Sequence, residues 1–198
     1  MIIYYTDKYT GGRDESHSLL EEALSVYTGD RDSAGTLTAA MKKGEHGKPF
    51  IEGFSCFSIS HTGRLWAVLF DECECGLDIQ LSRSCNTMAI AHRVFADEDV
   101  QWLKTLSSRD EEKARKEFFR IWTRREALVK ALGGSVADSD LPSVLNGKVN
   151  MNGCDYFLAD LDFPKLKESD PDELRCAICI RGSHKVYLPA FHYLPEEI

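Results

Sequence analysis

Residues 118–134 (FFRIWTRREALVKALGG) hold no Pro, and no Gly before the closing pair, so they read as one helix with its stop. At about 100° per residue, Phe118, Phe119, Trp122 and Val129 gather on one side, with Ile121 and Leu132 at its margin. Glu126 projects between the directions of Trp122 and Phe119, on the face that should be core, and Lys130 follows one turn later. Lys113, Lys116, Arg120 and Arg124 form a separate basic stripe. A carboxylate on a buried face costs roughly several kcal/mol unless it is paired or binds a metal. Two readings follow: an ion pair within the helix between Glu126 and Lys130, or a metal ligand.

The chain has 198 residues, enough for one large domain or two small ones with a real core. Its formal net charge of −8 argues against broad binding to nucleic acid or anionic membranes. An anionic ligand would have to be held by a local basic site or through a metal. No apolar run approaches the ~20 residues of a membrane span, and the N-terminus lacks a signal-peptide pattern, so the expected compartment is cytoplasmic. Seven cysteines without an export signal argue against a disulfide framework. Cys176 and Cys179 lie in an apolar strand pattern and would face opposite ways, which reads as small buried side chains rather than a zinc site.

Along the chain, a strand at 2–5 precedes an amphipathic helix at 16–27, ended by Gly29. Residues 28–53 are polar and Gly-rich, either loop or a helix followed by loop. Three strand-like runs at 54–59, 65–70 and 76–80 look like an antiparallel meander. After a polar break at 82–86 come helices near 87–93, 97–106 and 110–132, then strands at 156–161, 174–180 and 185–191. Each half therefore runs helix first and then three strands. The expected fold is α+β: two similar subdomains, 1–82 and 83–198, each a helix packed on a three-stranded antiparallel sheet, with the site at their interface.

Asp78 sits between Leu77 and Ile79, a costly place for a carboxylate in a short strand. It is either an Asp satisfied by backbone N–H groups near a turn or a ligand for a hard metal. Magnesium needs only one or two carboxylates when phosphates and water complete its octahedron, so Asp78 and Glu126 would suffice. Ser60, His61 and the backbone before Gly63 could meet a phosphate, and so could Lys48 on the stiff Gly47-Lys48-Pro49 turn. Each of these is weak alone, since a turn with a solvated His or Lys is the commoner outcome.

Together the four stretches resemble the 4′-phosphopantetheinyl transferases, specifically the larger, pseudo-dimeric Sfp-type group. The residues that carry the resemblance are Gly47-Lys48-Pro49, then Phe57-Ser58-Ile59-Ser60-His61-Thr62-Gly63, then Gly76-Leu77-Asp78-Ile79. The last is Phe119-x-x-Trp122-x-x-Arg125-Glu126-x-x-x-Lys130. It extends over roughly residues 14 to 135, and the C-terminal strands fit it loosely. It implies an intramolecular pseudo-dimer that moves phosphopantetheine from coenzyme A to a serine of an acyl or peptidyl carrier protein, releasing 3′,5′-ADP. Carried over by position, Asp78 and Glu126 would hold Mg²⁺ and Lys130 would neutralise the coenzyme A phosphates. Ser60, His61 and Lys48 would clamp the end bearing the 3′-phosphate, and Glu126 is the candidate base. A site formed between halves of one chain makes a monomer natural.

Three departures from the family pattern stand out. Gln80 replaces a Glu that completes the metal site in many members; it can still orient a metal-bound water. Arg125 replaces a Lys, and His17 stands where relatives have an Arg, so contact with the 3′-phosphate would fall to His17 or Arg13. Asp99 is either a group near the metal or part of a helix start capped by Asp97. The basic stripe is read as a solvated face balanced by Glu111, Glu112 and Glu117 rather than a carrier dock. Two other functions stay open: a non-catalytic relative that binds coenzyme A or a carrier, and a metal-dependent hydrolase of a nucleotide pyrophosphate.

Overall fold

Two strands of this protein are apolar on both faces, which only a layer enclosed from both sides can accommodate. The computed structural model describes residues 1–44, 46–134, 141–164, 173–182 and 188–194. In chain order they form β1 (Ile2–Thr6), α1 (Arg13–Thr28), α2 (Arg31–Ala39), the short pair β2 (Lys42–Lys43) and β3 (Pro49–Phe50), β4 (Cys56–Thr62), β5 (Leu65–Asp71) and β6 (Cys75–Leu81). Then follow α3 (Thr87–Val94), α4 (Asp97–Ser107), α5 (Glu111–Leu132), β7 (Lys148–Met151), β8 (Cys154–Asp160), β9 (Leu174–Arg181) and β10 (Ala190–Tyr193). Helices and mainly antiparallel sheets make a mixed α and β protein, as expected.

The two enclosed strands show how the layers stack. On β5, Trp66, Val68 and Phe70 pack under α1 and α2, while Leu65, Ala67 and Leu69 face the other way. On β9, Cys176 and Ile178 join that second group, whereas Ala177 and Cys179 pack under α5. The order is therefore helices, sheet, sheet, helices, with Ile3, Leu77 and Ile79 in the layer between the sheets. Cys176 and Cys179 are buried on opposite faces, as period two requires.

Each large sheet carries four strands rather than the expected three, in the orders β10-β1-β5-β4 and β6-β9-β8-β7. The meander expected from 54–80 is a correction: β4 and β5 form a hairpin, but β6 leaves that sheet and pairs antiparallel with β9, placing Asp78 opposite Ala177. The reason is that β5 already has β1 on its other edge, so β6 finds its partner in the second sheet. The last strand returns to the first sheet, where β10 runs parallel to β1. Of the strand expected at 185–191, residues 185–187 lie outside the described residues. The sequence reading missed β7, although Asn152-Gly153, both at positive φ, make the two-residue turn that joins it to β8.

The helix ends follow local chemistry. Gly29 and Gly133 adopt left-handed backbone at φ 71° and 67° and close α1 and α5. Asp110 caps α5 by accepting from the Lys113 N–H. The Asp97 cap is corrected: α4 begins at Asp97 after Ala96, with no side-chain cap, and its acidic first turn suits the helix dipole.

Candidate active site

Gly76 brings the site together. A Cβ there would stand 1.9 Å from the Ala127 carbonyl oxygen and 2.6 Å from the Ala131 nitrogen, so only glycine lets α5 lie on the β6 backbone. That contact puts two turns of α5 beside Asp78. Lys130 Nζ donates to Asp78 Oδ1 at 2.8 Å, to Ser60 Oγ at 3.0 Å and to the Leu77 carbonyl at 3.0 Å. An ammonium has three hydrogens, and these three acceptors use them. The ion pair within the helix is thus replaced by one between α5 and β6.

Asp78 is 6% exposed and Glu126 half-buried. Burial pushes the Glu126 carboxyl up to about 7, the Asp78 carboxylate adds to the rise, and Lys130 and Arg125 oppose it. Burial also raises Asp78, against the pull of Lys130 and Ser60. Asp78 Oδ1 takes hydrogen bonds from Lys130 and Ser60, whereas Oδ2 is buried and has no partner among the described residues. A bare carboxylate oxygen near a second carboxyl suits a small hard cation, whose charge would offset both desolvation and repulsion. Gln80 lies on the same face of β6, its Nε2 donating to the Leu81 carbonyl at 2.7 Å. Among the described residues no three His, Cys, Asp or Glu side chains form a metal cluster, so a cation here would rely on two carboxylates plus ligand and water oxygens.

A cleft of about 490 Å³ opens where α1, the β2–β3 pair and β4 meet. Arg13, His17, Lys43 and His61 line it with Tyr9 and Pro49, and among the described residues no carboxylate is in its walls. In a chain of net charge −8 this is a local basic site for an anion. The expected clamp is divided by the structure. His61 and His17 reach the cleft; Ser60, one residue from His61, faces the other way into the carboxylate site. Lys48 Nζ donates to the carbonyls of Cys75 at 3.0 Å and Ala131 at 3.4 Å, tying the end of α5 to β6.

A sequence profile of the 4′-phosphopantetheinyl transferase superfamily matches residues 74–179, more than half of the chain. The chain belongs to this superfamily. The matched stretch contains Asp78, Gln80, Glu126 and Lys130, whereas Ser60, His61, His17 and Lys48 precede it and join the site only in space. Among curated relatives, the 4′-phosphopantetheinyl transferase AcpT of Salmonella typhi is 40% identical over 116 residues, which cover 54% of this chain and 58% of the relative. The 4′-phosphopantetheinyl transferase gsp of Aneurinibacillus migulanus is 28% identical over 127 residues, 64% of this chain and 52% of the relative. The 4′-phosphopantetheinyl transferase HetI of Nostoc is 32% identical over 137 residues, 66% and 53% respectively. The chain thus spans a little over half the length of these transferases.

The basic stripe of this superfamily member is folded inward more than expected. Arg124, 9% exposed, holds Asp160 through two bonds of 2.7 Å and also reaches the Val144 and Leu145 carbonyls. Arg120 pairs with Glu117 and Asp160, Lys113 with Asp110, and Lys116 with Glu112. Arg125 is fully buried, donates to the Leu141 carbonyl and faces Asp99. Asp99 accepts from Ser143 at 2.6 Å. Asp99 and Arg125 therefore secure the segment at 141–145. The sequence reading passed over Lys43 and, although it named Ser60, did not take the hydroxyls of Ser58, Ser60 and Thr62 as one alternating set. Their period of two on one strand face was the available signal.

Proposed function

We propose that the protein transfers the 4′-phosphopantetheine group of coenzyme A to a serine of an acyl or peptidyl carrier protein, releasing 3′,5′-ADP and requiring Mg²⁺. Asp78 carries this reading: one of its oxygens is held by Lys130 and Ser60, and the other is buried and bare beside Glu126. Asp78 and Glu126 would hold the cation, with Gln80 on the Asp78 face of β6, and Mg²⁺ would supply charge neutralisation at the pyrophosphate. Arg13, His17, Lys43 and His61 hold the nucleotide end of coenzyme A, with the 3′-phosphate at Arg13 and His17. Ser60 and Lys48 would each have to release a bond to meet a phosphate.

Glu126 takes the proton from the carrier serine, directly or through a water. The serine oxygen then bonds to the phosphorus bearing pantetheine. The bond from that phosphorus to the bridging pyrophosphate oxygen breaks, and 3′,5′-ADP leaves. Lys130, fixed beside Asp78, balances negative charge throughout. We read the β1 sheet with α1 and α2, and the β6 sheet with α3, α4 and α5, as two units of an intramolecular pseudo-dimer with the site between them, which one chain completes as a monomer. Because β6 pairs with β9 and β10 with β1, the division expected at 82/83 moves to before β6, with β10 in the first unit. No helix among the described residues is long and apolar enough to cross a membrane, and we place the reaction in the cytoplasm.

Gln80 supports a second reading, a relative that binds coenzyme A without turnover, because an amide adds no charge to the metal site. The intact mass of an apo carrier protein, incubated with this protein, coenzyme A and Mg²⁺, decides between them. A gain of one phosphopantetheine that chelator abolishes is the expected result. No gain across several unrelated carriers, with coenzyme A bound, would favour the binding protein.

A further inference from the structure

β4 and β6 belong to different sheets, yet three hydroxyls on β4 join them. Ser58 Oγ accepts from the Leu77 N–H at 3.0 Å, Ser60 Oγ from the Ile79 N–H at 3.1 Å, and Thr62 Oγ1 from the Leu81 N–H at 3.1 Å. Both strands advance two residues per rung, so the hydroxyls take the place that carbonyls fill in an ordinary ladder. Among the described residues the middle rung alone reaches charged groups. Ser60 also donates to Asp78 Oδ1 at 3.0 Å and accepts from Lys130 Nζ at 3.0 Å. One hydrogen and two lone pairs allow three such bonds, and Ser60 makes all three.

The consequence falls on Asp78. Ser60 and Lys130 converge on Oδ1 and leave Oδ2 buried and bare. We infer that Ser60 is a positioning residue: it holds the Asp78 carboxylate and the Lys130 ammonium in the one arrangement that reserves Oδ2 for a divalent cation, and it does not bind coenzyme A itself. The inference rests on the proposed reading of Asp78 as a cation ligand. Groups that orient a metal ligand in this way typically contribute about 10–100-fold to metal affinity.

The test is coenzyme A binding by calorimetry without carrier, first in chelator and then across a Mg²⁺ series. It compares the parent with Ser60→Ala and with two variants that remove only a rung, Ser58→Ala and Thr62→Val. The expected result is that Ser60→Ala needs about tenfold more Mg²⁺ to strengthen binding. Its affinity in chelator should stay within about twofold of the parent, and the rung variants should match the parent's Mg²⁺ response, showing at most lower stability. If Ser60→Ala does not fold, Ser60→Cys carries the same expectation, since a thiol fits the space but is a weak donor and acceptor. An unchanged Mg²⁺ response in the Ser60 variant overturns the inference. So does a tenfold loss of coenzyme A affinity in chelator, which would make Ser60 a ligand contact, or an equal loss of Mg²⁺ response in Ser58→Ala. A parent whose coenzyme A binding ignores Mg²⁺ overturns the cation reading on which the inference stands.

Discussion

Replacing Glu126 by Gln should make the protein more stable, by an amount that grows from about pH 4.5 and is complete above about pH 7. Glu126 rises from the ordinary 4.5 to about 7, chiefly through burial. At about 1.4 kcal/mol per pH unit this corresponds to roughly 3 kcal/mol, and partial exposure to water brings it nearer ~2 kcal/mol. Well below pH 4.5 the folded and unfolded chains both keep this proton. Between about 4.5 and 7 the unfolded chain releases it while the folded protein retains it, so stability falls as pH rises. Above 7 the loss is complete. Glu126→Gln, similar in shape but always neutral, escapes it. Urea unfolding of both proteins, without divalent cations, should give a near-equal stability at pH 4.5 and a gap of about 2 kcal/mol favouring Gln at pH 8. For a chain of this size that gap corresponds to a rise in Tm of about 4–8 °C. Adding Mg²⁺ and coenzyme A at pH 8 should narrow the gap, because ligands that bind the folded carboxylate stabilise the parent more. A gap that is the same at both pH values, or a variant less stable at pH 8, would refute the account of Glu126 as a buried, strained carboxylate.

Gly76→Ala should destabilise the protein by about 3 kcal/mol or more in urea, because the new methyl meets the backbone of α5 rather than a movable side chain; a neutral outcome would remove the close approach. Gln80→Glu adds a third carboxyl near Asp78, so activity should reach half its maximum at severalfold lower Mg²⁺, as measured by carrier mass shift across a Mg²⁺ series. Arg13→Ala and His17→Ala should each weaken coenzyme A binding about tenfold in calorimetry while leaving dephospho-coenzyme A less affected, as a contact to the 3′-phosphate requires.

The element pattern was legible because its signals are local. The apolar stripe of α5, the two closing glycines and the apolar run of β5 need no partner to be read, and they place helices and strands within a few residues of where they form. The pair of carboxylates was legible too. Asp78 between two large apolar residues and Glu126 on an apolar helix face each break a local rule, and both lie at the candidate site. What escaped was partner choice. β6 reads the same whether it continues a meander or crosses to β9, since backbone hydrogen bonds do not depend on which strand supplies them.

Chain order and residue type by themselves determined most of the helices and strands and the superfamily, and they pointed to Asp78 and Glu126. The tertiary structure alone decided how those residues share their hydrogen bonds. Lys130 turns from Glu126 to Asp78 because Gly76 lets α5 reach β6. Ser60 parts from His61 because neighbours on a strand face opposite ways, one into the joint between sheets and one into the basic cleft. Arg124, read as part of a solvated face, and Arg125, read as a replacement of a Lys, are buried because β8 and the 141–145 segment close over their side of the helix. Such outcomes depend on which distant backbone arrives, and that is a property of packing rather than of any window of sequence.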